Sequence, residues 1–188
     1  MIYNWKTIVK HGIPILLIAV LVEILAGQVL QGNEEILIAI PIFFICIPVI
    51  NSVAGNIGTV LGARLTSGLH VGYVKISFKD KEMHQNLVTS LFMGFLTYFI
   101  LAIVIYYVGV FSNIITEDLN IAMFVGIVVL TGFLLILVVA IISILTAFIS
   151  FKRGLDPDDM VAPVVTTVAD IMGIIFLFVI IGIVGVGI

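Results

Sequence analysis

The longest apolar stretch of the chain is residues 120–150, NIAMFVGIVVLTGFLLILVVAIISILTAFIS, and it contains no charged side chain. A helix needs about 20 apolar residues to cross the hydrocarbon core of a bilayer, so this stretch predicts a membrane-spanning helix. The rest of the chain has the same character, because 62% of its residues are hydrophobic and only 10% are charged. This balance is typical of an integral membrane protein and excludes a soluble globular domain.

Apolar runs separated by short polar breaks repeat along the whole chain. The five predicted spans are residues 13–30, 36–63, 87–110, 120–150 and 160–187. Residues 64–86 form the only sizeable break, which we interpret as a cytoplasmic loop near the lipid headgroups. Five spans leave almost none of the 188 residues for a soluble domain, so we predict an all-α integral membrane protein with one five-helix domain over residues 1–188.

The polar breaks differ in charge. All eight Lys and Arg residues lie in the N-terminal segment and in the breaks 64–86 and 151–159. The other two breaks contain only acidic charges: Glu34, Glu35, Glu117 and Asp118. Lys and Arg collect on the cytoplasmic side of a membrane. We therefore expect a cell-membrane protein with a cytoplasmic N-terminus and an external C-terminus.

The second run is too long for a simple perpendicular span and must tilt, bend or unwind. Pro41 and Pro48 remove backbone donors, and residues 48–59, PVINSVAGNIGT, add glycines and two amides. Freed carbonyls at membrane depth are tolerated against protein or a water-filled cavity, which favours a role in lining a polar path. Close helix packing through small residues such as Gly55 and Gly58 is the alternative, and both roles are compatible.

The last run contains a polar stretch at residues 163–170, PVVTTVAD. Pro163, Thr166, Thr167 and Asp170 have i, i+3, i+4, i+7 spacing and share one helix face. A charged group at this depth costs about 2.5–3.5 kcal/mol on insertion scales and usually marks an ion or proton path. If the second and fifth spans are neighbours, Asn56, Thr166 and Asp170 could surround one polar volume.

Glu23 is a second carboxylate within a predicted span. It could bind a coupling ion or a second cation, remain protonated in a structural role, or reach the interface by its flexible side chain.

These elements resemble the MgtE-like divalent cation transporters and their solute-carrier relatives. The family carries Pro-x-x-(Thr/Ala)-Thr-x-x-Asp after an Asp/Asn-Pro turn, which is similar to residues 156–159 followed by 163–170. It also carries a Gly-Asn element after a proline, which is similar to Gly55-Asn56 after Pro48. The resemblance implies a homodimer of five-helix subunits whose ion path is built from the second and fifth helices of both.

The same resemblance assigns roles to individual residues. It implies that Asp170 binds the ion, that Gly55 and Asn56 form the second-helix element, and that the backbone at Thr166 faces the ion. Pro48 and Pro163 would break their helices. Ala162, Thr59 and Val60 depart from the side chains of MgtE, which implies a difference in selectivity or coupling. The cytosolic sensor domains of MgtE are missing from this sequence, as in the solute-carrier branch.

The residue types favour a hard divalent ion. Mg²⁺ prefers oxygen ligands in an octahedron and keeps much of its water, so one carboxylate per subunit is sufficient. Soft-metal binding is disfavoured because Cys46 is the only cysteine and the three histidines lie near cytoplasmic segments. Mn²⁺, Ca²⁺ and Co²⁺ remain alternatives, and no cofactor beyond the transported ion is expected.

A turn rich in aspartate precedes the last span. Asp156, Asp158 and Asp159 surround Pro157, which is favourable chemistry for starting a helix. The same carboxylates could attract cations to the cytoplasmic mouth of a path.

We therefore expect a transporter of Mg²⁺ or a similar divalent cation, with the lipid bilayer, the ion and a second copy as partners and with no nucleic-acid partner. A Na⁺- or H⁺-coupled exporter that uses Glu23 is the alternative, and a membrane scaffold subunit is a more remote one. An intramembrane enzyme that uses Glu23 and Asp170 as an acid/base pair lacks any supporting catalytic motif.

Overall fold

The computed structural model describes residues 5–77, 79–115 and 119–185, with the side chains of residues 5–8, 11 and 158 left out of the description. Every regular element within these ranges is a helix. The helices are α1 (Trp5–Gln31), α2 (Glu34–Ala39), α3 (Ile42–Val71), α4 (Lys81–Phe111), α5 (Ile121–Lys152) and α6 (Pro157–Val184). All of them except α2 contain a segment long and apolar enough to cross a membrane, which confirms the predicted number of five spans among the described residues.

The second predicted span, 36–63, is divided between the short helix α2 and the long helix α3. The chain leaves the helical conformation at Ile40, whose φ and ψ are −132° and 78°. Pro41 explains the division, because proline lacks the N–H that would continue α2 and disfavours the α conformation in the residue before it. The bend expected in this run is therefore located at residues 40–41.

The expected loop over residues 64–86 is shorter in the structure, since α3 continues to Val71 and α4 begins at Lys81. Gly72 ends α3 with a φ of 86°, a left-handed conformation that glycine adopts without steric cost. Asp80 begins α4 by accepting a 3.0 Å hydrogen bond from the Met83 amide. The loop was predicted too long because hydropathy marks the end of the apolar segment, and a helix can extend beyond it.

Polar residues mark the starts of the last two helices. Asn120 caps α5 by accepting a 2.9 Å hydrogen bond from the Met123 amide, and α6 begins at Pro157, directly after Asp156. Glu117 and Asp118, on which the predicted orientation partly depends, lie outside the described residues. The sidedness of the chain stays a prediction.

The buried centre of the molecule lies between α3, α5 and α6, which all pack against one another. α4 packs on α5 and α3, whereas α1 has substantial contact only with α6. Most of the large apolar side chains of α1 are exposed, as expected for a helix at the edge of a bundle in lipid. As a result, α6 has α3 and α5 on one side and α1 on the other, and Asp170 lies on this shared helix.

Candidate functional site

The second and fifth predicted spans are neighbours, and they contact each other closely at Gly55 and Thr166. Gly55 is buried, and a Cβ atom built on it would lie 3.3 Å from Thr166 Cγ2. The absence of a side chain at Gly55 therefore lets α3 approach α6 at this level. Two of the residues predicted for the site are in contact in the structure.

Asn51 forms a second contact between α3 and α6, and the sequence analysis did not single it out. Its side-chain Nδ2 donates a 3.1 Å hydrogen bond to the backbone carbonyl of Asp170. Its Oδ1 is buried, has no hydrogen-bond partner among the described residues, and lies against Gly173. Asn51 is one of two amides in residues 48–59, and sequence spacing alone does not indicate which amide contacts α6.

The carboxyl groups of Glu23 and Asp170 are close enough to interact electrostatically. The pairing follows from the packing of α1 on α6. The Glu23 residue is exposed and Asp170 is half-buried, so the pair lies at an accessible edge of the subunit. The structure thus joins two groups that the sequence analysis assigned to separate sites.

A row of exposed residues on α3 contains both apolar and polar side chains. Its exposed residues at four-residue spacing are Phe44, Pro48, Ser52, Asn56, Val60 and Arg64. Each four-residue step rotates about 40° around the helix axis, so Ser52 and Asn56 share one face, whereas Phe44 and Arg64 lie on nearly opposite sides of the helix. Asn56 Nδ2 donates to Ser52 Oγ over 3.4 Å. Ser52 and Asn56 are both exposed, and Asn56 borders α4 at a cavity that Ser90 and Met93 also line.

On α6, Thr166 is exposed and lies against Gly55, the residue before Asn56. Its hydroxyl donates to the Ala162 carbonyl over 2.9 Å, so the side chain is held within its own helix. Asp170 lies one turn further along α6, a rise of about 6 Å. The predicted residues therefore occupy two adjacent levels, with Asn56 and Thr166 at one and the Asp170–Glu23 pair at the other.

Pro48 and Pro163 both lie inside continuous helices, so the chain does not leave the helix at either position. This corrects the helix breaks expected there. Each proline still removes one backbone donor from its helix, which leaves the carbonyl four residues earlier without its usual partner. The actual break in the second predicted span is at Pro41.

The acidic turn before α6 is only partly described. Asp156 and Asp159 are half-buried, and the Asp159 amide donates to the Asp156 carbonyl over 3.2 Å. The side chain of Asp158 lies outside the described residues. A role for these residues at a cytoplasmic mouth remains a prediction.

The described side chains contain no cluster of three or more His, Cys, Asp or Glu residues. A cation at the Glu23–Asp170 pair would therefore be bound by two carboxylates, with amide or carbonyl oxygens and water completing its shell. Such an oxygen-rich, water-retaining shell suits a hard divalent ion. Cys46 is buried and offers no accessible thiolate.

A family model described as MgtE, divalent cation transporter, matches residues 47–180. The chain belongs to this family, and it is accordingly a multi-pass membrane protein of a transporter family rather than of an enzyme family. A comparison with curated proteins gives no match. The family match covers Gly55, Asn56, Thr166 and Asp170 but not α1, so Glu23 lies outside it.

Proposed function

We propose that the protein transports Mg²⁺ or a similar divalent cation across a cell membrane as a homodimer. The path is lined by α3 and α6, and the partly hydrated ion is bound by Asp170. Gly55, Asn56 and Thr166 form the adjoining part of the path. Glu23 contributes a second carboxylate to the same ion.

The observation that carries this proposal is the proximity of the Glu23 and Asp170 carboxyl groups. Two ionised carboxylates side by side repel each other, and placing them in a membrane adds a desolvation cost. A divalent cation between them neutralises both charges at once, whereas a monovalent ion leaves one unmatched. The pair therefore favours a doubly charged substrate.

The proposed dimer is supported by the exposed polar residues Ser52, Asn56 and Thr166. In a lone subunit these side chains would face hydrocarbon, where polar groups are unfavourable. A second copy placed against this face would form the opposite wall of a hydrated path. The membrane potential then drives uptake, since a divalent cation entering a negative-inside cell gains about 4.6 kcal/mol per 100 mV.

Export coupled to Na⁺ or H⁺ is the second candidate, and the position of Glu23 beside Asp170 favours it over a scaffold role. A coupling ion that binds at Glu23 would compete directly with a cation held by Asp170. Such coupling would make divalent flux depend on a Na⁺ or pH gradient.

Flux into proteoliposomes tests the proposal. Wild-type protein and Asp170→Asn are compared for Mg²⁺, Mn²⁺, Co²⁺ and Ca²⁺, with Glu35→Gln on exposed α2 as a control that removes one acidic charge elsewhere. We expect Asp170→Asn to reduce divalent flux at least about tenfold, a loss of about 1.4 kcal/mol or more, while Glu35→Gln transports normally. Full flux through Asp170→Asn would overturn the proposal.

The same vesicles distinguish uptake, coupled export and a scaffold role. Acceleration of divalent flux by an opposing Na⁺ or pH gradient, lost in Glu23→Gln, would favour coupled export. A folded wild-type protein that neither binds nor transports any of these ions would favour the scaffold role.

A further inference from the structure

Two contacts with α3 flank Asp170 along α6. Gly55 of α3 lies against Thr166, and Asn51 of α3 lies against Gly173. Thr166 and Gly173 are seven residues apart, so they lie on nearly the same side of α6, which is the side that packs on α3. Asp170 lies between them in the sequence and about 40–60° around the helix from both. The carboxylate of the proposed ion site therefore belongs to a helix segment that α3 contacts at two levels.

Asn51 supplies the directional part of this packing. The contact at Gly55 is made by the methyl group of Thr166, and such a contact tolerates a small rotation of the helix. The Asn51 side chain instead donates a 3.1 Å hydrogen bond to the Asp170 carbonyl, and a hydrogen bond weakens steeply when its angle is distorted. The bond therefore favours one rotation of α6 about its own axis.

Stability alone does not account for an amide at this position. Asn51 is only 5% exposed, and its Oδ1 has no hydrogen-bond partner among the described residues. The cost of an unpartnered buried acceptor offsets the gain from one hydrogen bond. The Asp170 carbonyl also lies inside a continuous helix, where the backbone amide four residues further on is its usual partner. An apolar side chain that filled the same space would hold the two helices together equally well.

We propose that Asn51 is a positioning residue for ion binding, whose amide holds α6 in the rotation that directs the Asp170 carboxylate toward Glu23. This inference rests on the proposed function. Without the bond, α6 also adopts other rotations, and the apparent affinity for the ion falls in proportion to the fraction of molecules that remain competent to bind. One hydrogen bond between neutral groups biases such an equilibrium about two- to tenfold.

The test measures Mg²⁺ affinity by calorimetry and thermal unfolding in detergent for Asn51→Ala, Asn51→Leu and Tyr98→Phe. Asn51→Leu removes the amide but also branches at Cγ, so it fills the space that Asn51→Ala leaves empty. Tyr98→Phe is the matched control, because it removes a buried 2.6 Å hydrogen bond to the carbonyl of Ile50, the residue before Asn51, and leaves the bond to α6 in place.

We expect both Asn51 variants to bind Mg²⁺ about two- to tenfold more weakly than wild type. Asn51→Leu should nevertheless unfold at a higher temperature than Asn51→Ala. Tyr98→Phe should show the opposite combination, a lower unfolding temperature with wild-type affinity. In proteoliposomes, the Asn51 variants should raise the KM for Mg²⁺ flux by the same factor and keep the wild-type maximal rate, because saturating ion restores the competent rotation.

Three results would overturn the inference. Wild-type affinity in monodisperse Asn51→Leu would show that the amide does not position the site. Equal weakening in Tyr98→Phe would show that affinity follows stability, and this comparison with Asn51→Ala remains decisive if Asn51→Leu does not fold. A lower maximal rate with unchanged KM would exclude an effect on ion binding. Wild-type affinity in Asp170→Asn would instead contradict the proposed function, so the two failures are distinguishable.

Discussion

The side-chain amide of Asn51 donates a 3.1 Å hydrogen bond to the backbone carbonyl of Asp170 and so joins α3 directly to α6. The bond lies at the level of the carboxylate on which the proposed transport depends. It fixes the position of α6 relative to α3 without using the Asp170 side chain. The Asp170 side chain itself interacts with Glu23 on α1.

Replacement of this amide should destabilise the protein. Asn51→Ala removes the hydrogen bond and leaves a small cavity at a buried site, so we expect the free energy of unfolding to fall by about 1–2 kcal/mol. Thermal unfolding in detergent measures the change. Asn56→Ala is the matched control, because Asn56 is exposed and its amide donates a 3.4 Å hydrogen bond only within α3, to Ser52. Equal destabilisation by both substitutions would contradict the role assigned to Asn51.

The hydroxyl of Tyr98 should stabilise α3 close to the same level. Tyr98 is fully buried, donates a 2.6 Å hydrogen bond to the Ile50 carbonyl, and lies beside the backbone of Ala54. Tyr98→Phe keeps the ring and deletes the hydroxyl, so we expect a loss of about 1 kcal/mol in unfolding free energy. Tyr107→Phe, at an exposed tyrosine of the same helix, should unfold at the wild-type temperature. A Tyr98→Phe protein as stable as Tyr107→Phe would refute this assignment.

A methyl group at Gly58 should disturb the centre of the bundle. A Cβ built there collides with Val139 on α5 and Val165 on α6. Overpacking of this kind costs about 1–3 kcal/mol, so Gly58→Ala should lower the unfolding temperature. Gly27→Ala on α1 is the control, because nothing lies within 4 Å of its Cβ position and alanine favours the helix by about 0.5–1 kcal/mol. A Gly58→Ala protein that unfolds at or above the wild-type temperature would contradict this prediction, because it would show that α3, α5 and α6 can move apart to accept the methyl group.

The sequence predicted the number of membrane-spanning helices well, because the length of an apolar run reflects bilayer thickness directly. The sequence left open whether the second and fifth spans are neighbours, and only the family resemblance implied that they line one path; in the structure they meet at Gly55 and Thr166. Both ends of α3, Ile42 and Val71, differ from the ends predicted for the second span, 36 and 63. Proline at position 41 divided the run, and polar residues after Arg64 continued the helix outside the apolar segment.

The pairing of Glu23 with Asp170 was beyond sequence reasoning for a different reason. Periodicity gives the face of a helix on which a residue lies, but it does not give the neighbour that the face meets. α1 is nearly all apolar, so its pattern does not indicate that Glu23 faces α6. Asn51 and Asn56 pose the same difficulty, since both are amides on α3 and only Asn51 is buried against α6.

Binding of Mg²⁺ to purified protein, measured by isothermal calorimetry, tests most directly whether Glu23 and Asp170 bind one divalent ion together. Wild type and the Glu35→Gln control should bind with equal affinity, while Glu23→Gln and Asp170→Asn should each weaken binding at least about tenfold, or about 1.4 kcal/mol. Wild-type affinity in Glu23→Gln would show that the ion does not use the pair, and wild-type affinity in Asp170→Asn would contradict the ion site itself.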